Sequence, residues 1–259
     1  MISSGRFGSL KATTATTAET MTFLPDEIAC AGVTEYVINT VTVQYQHLTR
    51  FRVKLNGVTV SNFAPAVLSG IWRRFSKWDN PATTAVVATI PLHALTFPDD
   101  PQLRLMGLPP GQATVEVDKN ATPAAGTMGI AWRQQGDVSK MVRAYTGIFS
   151  EQGNVAASSV AELPIRKPGL LKGLVLPECA PAYLDDVQLL WKGYPVISNS
   201  GANLLALESM EGGVVQTTAY TYVPLRDPVP ANECVLRLTT GASWAGATNE
   251  IGYVTYVPW

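Results

Sequence analysis

Charged side chains are sparse in this sequence. Asp, Glu, Lys and Arg make up 15% of its 259 residues, where soluble domains typically carry about 25%. With 46% hydrophobic residues, so neutral a chain is expected to turn much of its surface toward other protein. The formal net charge is −1, and the first thirty residues hold only Arg6 and Lys11 as cations. A basic arm is therefore missing, which argues against direct binding of nucleic acid. Cysteine is scarce too. Cys30, Cys179 and Cys234 are odd in number, far apart and free of Cys-x-x-Cys or Cys/His spacing, which excludes a disulfide framework and a zinc site and leaves three reduced, buried thiols. No stretch reaches the ~18 apolar residues of a spanning helix. The start, Met1 to Gly8, lacks the apolar block of a signal peptide, so we expect a chain made and retained inside a cell.

Catalytic patterns are equally thin. The two histidines, His47 and His93, have no nucleophile elbow of the form Gly-x-Ser-x-Gly near them. The carboxylate pairs Asp99-Asp100 and Asp185-Asp186 could in principle flank a glycosidic bond. They sit beside Pro98, Pro101 and Leu184 in turn-like sequence, where Asp is common because it bonds its own backbone. The same pairs have the oxygen chemistry for calcium, although no Asp-x-Asp-x-Asp-Gly loop is present. No catalytic, cofactor-binding or metal residue is assigned, and no enzyme is expected. Calcium at a subunit interface is the one ion the acidic pairs suggest. Asn120-Ala121-Thr122 spells a glycosylation sequon, which carries no weight without a secretory signal.

What the sequence does contain is short runs of Val, Thr, Ile and Tyr punctuated by Gly, Pro, Asn and Asp, the pattern of many brief strands. Tyr36 to Val43, Phe51 to Leu55, Thr114 to Val117 and Ile251 to Val257 are the clearest. Arg52, Lys54 and Glu116 alternate with apolar neighbours, as one buried and one solvated sheet face requires. Two segments have helical period. In the first, Leu68, Ile71, Trp72 and Phe75 form a stripe with Arg73, Arg74 and Lys77 off it. In the second, Ala202, Leu205 and Ser209 share a face beside Leu204 and Leu207, before Gly212-Gly213.

An internal repeat organises these elements. Phe51 to Val60 matches Val187 to Val196 at an offset of 136 residues. Both read strand, glycine turn, strand, with Asn56-Gly57 the stronger hairpin signal and Lys192-Gly193 the weaker. Ala85 to Leu92 resembles Thr218 to Leu225 at an offset of 133, each with a Pro at the same place in the strand. Gly129 to Trp132 closes the first half as Tyr253 to Val257 closes the second. Residues 1–21 are small and polar and are expected to form an arm that orders only against a neighbour. Residues 147–161 have the composition of a linker.

Taken together, Phe51 to Phe75, Val187 to Gly212 and Cys234 to Trp259 resemble the double jelly-roll major capsid proteins of tailless icosahedral viruses, in particular corticovirus-like phages with an internal membrane. The resemblance implies an all-β chain of two tandem jelly-roll β-sandwiches with a short helix inserted in each half. The parts would be an arm over 1–21, a first jelly roll over 22–146, a linker over 147–161 and a second jelly roll over 162–259. It further implies a homotrimer forming a pseudo-hexagonal capsomer. That block would meet neighbouring capsomers, penton or minor capsid proteins in a virion assembled in the host cytoplasm, over an internal lipid membrane and without direct contact to nucleic acid. Trp72 to Trp78 mixes cations with aromatics and suits either a nucleic-acid or lipid surface, or, more plainly, a subunit contact. Six tryptophans, Trp72, Trp78, Trp132, Trp191, Trp244 and Trp259, keep a second class open, a β-sandwich glycan-binding or spike/attachment module. Of these Trp132 and Trp191 read as core and Trp259 as an intersubunit contact.

Overall fold

The computed structural model describes residues 2–4, 11–13, 18–23, 33–40, 43–55, 57–64, 87–91, 113–122, 125–135, 144–153, 155–177, 179, 181–200, 202–204, 220–241 and 250–258. The chain divides into two compact units, whose described residues lie within 1–146 and 147–257 apart from the ends of strands that cross these limits.

The first unit contains β1 (Ile2–Ser4), β2 (Lys11–Thr13), β3 (Glu19–Phe23), β4 (Val33–Thr40), β5 (Leu48–Leu55), β6 (Val58–Phe63), β7 (Val87–Pro91), β8 (Ala113–Lys119) and β9 (Gly126–Gln135). One set of neighbours runs β1-β9-β4-β7, with β2 also on β9, and the other β6-β5-β8-β3. The second unit contains β10 (Ala144–Gln152), β11 (Val160–Ile165), β12 (Leu170–Pro177), β13 (Leu184–Trp191), β14 (Tyr194–Asn199), β15 (Tyr220–Pro230), β16 (Cys234–Thr240) and β17 (Glu250–Pro258). Its neighbours run β10-β17-β12-β15 and β14-β13-β16-β11. Taken in chain order, the same strand order recurs in both units, with β2 the one described strand of the first that has no counterpart in the second, and each unit has the crossed connectivity of a jelly roll.

The duplication extends to the register. Val53 opposes Ser61 and Lys54 opposes Thr59, leaving Val60 as a bulge. Leu189 opposes Ile197 and Leu190 opposes Pro195, leaving Val196 as a bulge. Every one of these positions is displaced by 136 residues. A second irregularity recurs where β4 skips Thr34 against β9 and β12 skips Lys172 against β17. A bulge bends its strand at a set point and is kept within families, so two shared bulges are stronger support for duplication than the side-chain pattern. The closing strands align a little differently from the sequence reading: Trp132 opposes Tyr36 as Tyr253 opposes Leu174.

Both hairpins turn on a glycine in the left-handed region, Gly57 at φ 80° and Gly193 at φ 85°. Lys192 also lies at φ 52°, so the turn read as weaker has positive φ at both central residues, as a two-residue hairpin needs. A lysine there bears a steric cost that the flanking ladder offsets.

In the second unit one core lies between the two sheets. Leu171, Leu174, Val223, Ile251 and Tyr253 come from one sheet and Ile165, Val187, Leu189, Leu236 and Leu238 from the other. In the first unit Phe23, Phe51, Val53, Phe63, Val115 and Val117 are buried, and the rings of Phe51 and Phe63 meet at 5.4 Å between centroids.

Two expectations need correction. The described residues of the arm over 1–21 pair within their own unit, with β1 and β2 laddered on β9 and β3 on β8. Backbone hydrogen bonds do not require large side chains, and Met21 and Phe23 anchor β3 in the core. The linker over 147–161 is the end of β10, a turn and the start of β11. Gly147, Phe149 and Val155 are buried along it, so a few apolar side chains outweigh the polar composition. Of the two helices, residues 68–77 lie outside the described residues. Residues 202–204 are helical, with the Leu204 N–H donating to Ser200 O at 3.0 Å.

Because a Cβ at Gly57 or Gly193 would meet nothing within 4 Å, substitution at either place costs backbone strain alone. Gly57→Ala and Gly193→Ala are each expected to lower stability by about 1 kcal/mol, read as parallel shifts of urea midpoints.

Candidate functional site

The outward faces of the two equivalent sheets β3-β8-β5-β6 and β11-β16-β13-β14 differ in chemistry. In the first unit, register sets Arg52 opposite Glu116 and Arg50 opposite Asp118. Arg52 Nε reaches Glu116 Oε2 at 2.8 Å, and its two terminal nitrogens grip Asp118 at 2.6 and 2.7 Å. Lys54 Nζ bonds the other oxygen of Glu116, and Thr20 Oγ1 donates to Asp118 at 2.6 Å. This fork geometry is the strong form of a charged hydrogen bond. Burial pushes the Glu116 carboxyl up, but the hydrogen bonds and charges of Lys54 and Arg52 outweigh it and hold the group below its ordinary value. On the opposite face Lys119 is 1% exposed, and its Nζ lies 3.1 Å from Glu19, its cross-strand partner.

The same register positions in the second unit hold different chemistry. Where the first unit has Thr114, Lys54 and Thr59, the second has Val235, Leu190 and Pro195, and Pro164 extends the row across β11. The row ends beside Tyr194 and Val196, which are 75% and 40% exposed. The neighbouring row keeps one surface ion pair, Arg237 with Glu162 at 2.9 Å, of a kind worth little on its own. One sheet design thus presents a charged face in one unit and a largely apolar row in the other.

A second charged group ties β10 to β17. Tyr253 OH donates to Glu151 Oε1 at 3.0 Å, and Lys167 Nζ lies 2.6 Å from Glu151 Oε2. The ammonium also stands 5.7 Å from the Tyr253 ring centroid and 5.9 Å from that of Phe149, an attractive arrangement. Burial, then Glu151, raises the Tyr253 hydroxyl well above the usual phenol range. The carboxylate is fully engaged on both oxygens, so the group acts as a clasp between strands.

The residues singled out in the sequence fall as follows. His47 ends a 3-10 turn at Tyr45–His47, where its Nδ1 accepts from the Gln44 N–H at 3.0 Å. Asp185 and Asp186 open β13 beside a bulge, and Asp186 accepts from Gln188 Nε2 at 2.7 Å. They belong to a strand where a turn was expected, and a 3-10 turn at Pro181–Tyr183 directly precedes that strand. Among the described residues no group of three His, Cys, Asp or Glu could hold a metal ion. Asn120 follows β8, exposed. Cys179 and Cys234 are buried thiols, and burial pushes them up to about 12 and about 11. Trp191 ends β13, packs against the core and donates its Nε1 hydrogen to Glu233 at 2.8 Å. His93, Asp99, Asp100, Cys30, the 72–78 stretch, Trp244 and Trp259 lie outside the described residues, and Trp132 is placed by its backbone in β9.

No protein-family model matches the chain, and no curated protein matches it by sequence. Several solved structures match over nearly the whole length. The chain is similar to the major capsid protein P2 of bacteriophage PM2, with 12% identity, a TM-score of 0.64 and coverage of 100% of this chain and 98% of that one. It is similar to a chain of the PBCV-1 virus capsid, with 9% identity, a TM-score of 0.61 and coverage of 99% and 93%. A chain of Sulfolobus Turreted Icosahedral Virus gives 13% identity, a TM-score of 0.59 and coverage of 99% and 91%. At such identities the likeness is one of fold, and the fold is the double jelly roll of these capsid proteins.

Because the Glu116 carboxyl is held low, its contribution to stability is present above its unfolded value near 4.5 and is lost as pH falls through the lower folded value. Arg52→Met is expected to cost on the order of 1 kcal/mol at pH 7, and less at pH 3.5, by urea unfolding. Equal losses at both pH values would contradict this account of the network.

Proposed function

We propose that this chain is the major structural subunit of an icosahedral virus shell and that it performs no catalysis. The observation that carries the reading is the double jelly roll, whose two units share strand order and hairpin bulge among the described residues. Fold alone does not dictate function, but two further features point the same way. Low charge suits a protein whose sides are covered by like neighbours. The charged clusters around Glu116 and Glu151 are held by side-chain partners on both carboxylate oxygens, as structural networks are.

Two equivalent sandwiches per chain, three chains per block, make a pseudo-hexagonal capsomer that tiles a shell with its neighbours and with penton or minor capsid proteins. An internal membrane between shell and genome accounts for the lack of basic residues near the start of the sequence, and assembly takes place in the host cytoplasm. The glycan-binding alternative rests on exposed aromatics, and Trp191, the one tryptophan whose side chain is described, is held by Glu233 and the core.

Light scattering on the native protein tests the reading. The expected species has about three times 27.8 kDa at micromolar concentration, and it persists in a calcium chelator. Loss of the species on chelation would give an ion a structural role at the interface. A monomer in both buffers would overturn the shell reading and favour the glycan-binding module.

A further inference from the structure

Lysine and carboxylate meet at several places among the described residues, and most of these pairs are held as ions. Lys54 shares Glu116 with Arg52, and a guanidinium that does not lose its proton keeps that carboxylate anionic. Lys119 lies 3.1 Å from Glu19 and also donates to the Asn120 carbonyl at 3.2 Å, a bond that favours the ammonium. Lys192 stands 3.3 Å from Glu233 with its side chain 60% exposed, where an ammonium stays hydrated.

The pair of Lys167 and Glu151, within the second unit, is built differently. Lys167 Nζ lies 2.6 Å from Glu151 Oε2, and the lysine side chain is 17% exposed. A tight turn presents it. Lys167 follows β11, Pro168 fixes the next φ, and Gly169 at φ 86° leads into β12 while its carbonyl accepts from the Ala231 N–H at 2.9 Å. The rings of Phe149 and Tyr253, with centroids 5.9 and 5.7 Å from the nitrogen, shield that side of the pair from water. The other oxygen, Glu151 Oε1, accepts from the Tyr253 hydroxyl at 3.0 Å. Tyr253 is fully buried, and burial keeps this hydroxyl protonated.

An amine and a carboxyl group held in contact, with a neutral O–H aimed at the second oxygen, are the parts of an amide condensation. Fixed contact removes the entropy of encounter, and a donor placed where charge develops lowers the barrier. We infer that Lys167 and Glu151 join in an intrachain isopeptide bond between β10 and the turn before β12. The Lys167 ammonium passes one proton to Oε2, and the freed electron pair of Nζ forms a bond to Cδ of Glu151. Charge builds on Oε1, where the Tyr253 O–H stabilises it. The bond from Cδ to Oε2 then breaks, and Oε2 leaves as water with that proton and a second one from the nitrogen. The product is a secondary amide; nothing is oxidised or reduced, and no co-reactant enters. The Glu151 side chain is 38% exposed, which gives the water its exit. The bond spans 16 residues and constrains the unfolded chain as a disulfide does. It changes the chain once without turnover, so it stands beside the shell reading and does not rest on it.

Mass spectrometry of the intact, denatured chain tests this. The wild type is expected one water below the mass its sequence dictates, and spectra of its digest should show a branched peptide joining Glu151 to Lys167. Lys167→Arg and Glu151→Ala should each have their full sequence mass. Tyr253→Phe keeps the ring and loses the donor, and should form the same branch about a hundredfold more slowly when followed from fresh synthesis. A wild-type chain at full sequence mass after prolonged incubation, a water loss that persists in Lys167→Arg, or a branch that forms in Tyr253→Phe at the wild-type rate would each overturn the assignment. The oligomeric mass of the native protein bears on the shell reading alone, so the two fail separately.

Discussion

The register of the two hairpins, β5 with β6 and β13 with β14, decides which side chains enter each core. A strand alternates its side chains with period two, so a slip of one residue would send Val53 and Leu189 to solvent and Lys54 inward. The glycines at 57 and 193 hold the turns in a conformation other residues resist. The bulge placed two pairs farther on re-aims the rest of the strand. With that register set, β8 and β16 can lie only where their apolar residues face the same interior, and the remaining strands follow.

A scaffold fixed this way leaves its outward face free to vary. The first unit uses the freedom for a network in which Arg52 bridges Glu116 and Asp118 and Lys54 completes the group. The second has Gln188 and Arg237 where Arg52 and Glu116 stand, and fills the adjoining positions of Lys54, Thr114 and Thr59 with Leu190, Val235 and Pro195. Such divergence is inexpensive for the fold, because exposed positions contribute little to stability. It gives the two halves of one chain outward faces of different chemistry.

Much of this was legible in the sequence. Alternation of Arg52, Lys54 and Glu116 already placed them on one face, and Asn56-Gly57 marked a hairpin; these signals span few residues and depend on local chemistry. The 136-residue repeat was visible for the same reason. Less visible were β1, β2 and the end of β10. Their composition is polar or mixed, and what places them is pairing with strands more than a hundred residues away for β1 and β2 and about as far for β10, where Phe149 is also buried. The clasp of Lys167, Glu151 and Tyr253 was hidden likewise, since Glu151 and Tyr253 are 102 residues apart and neither belongs to a motif. The bulges had no composition signal at all and are apparent only in the pairing.

The account turns on whether two like sandwiches per chain are presented as one six-fold-like block. Electron-microscopic class averages of the native particle, viewed along its symmetry axis, test this directly. Six lobes of similar size from three chains are predicted. A two-lobed single chain, or a ring whose lobes do not number two per chain, would contradict it.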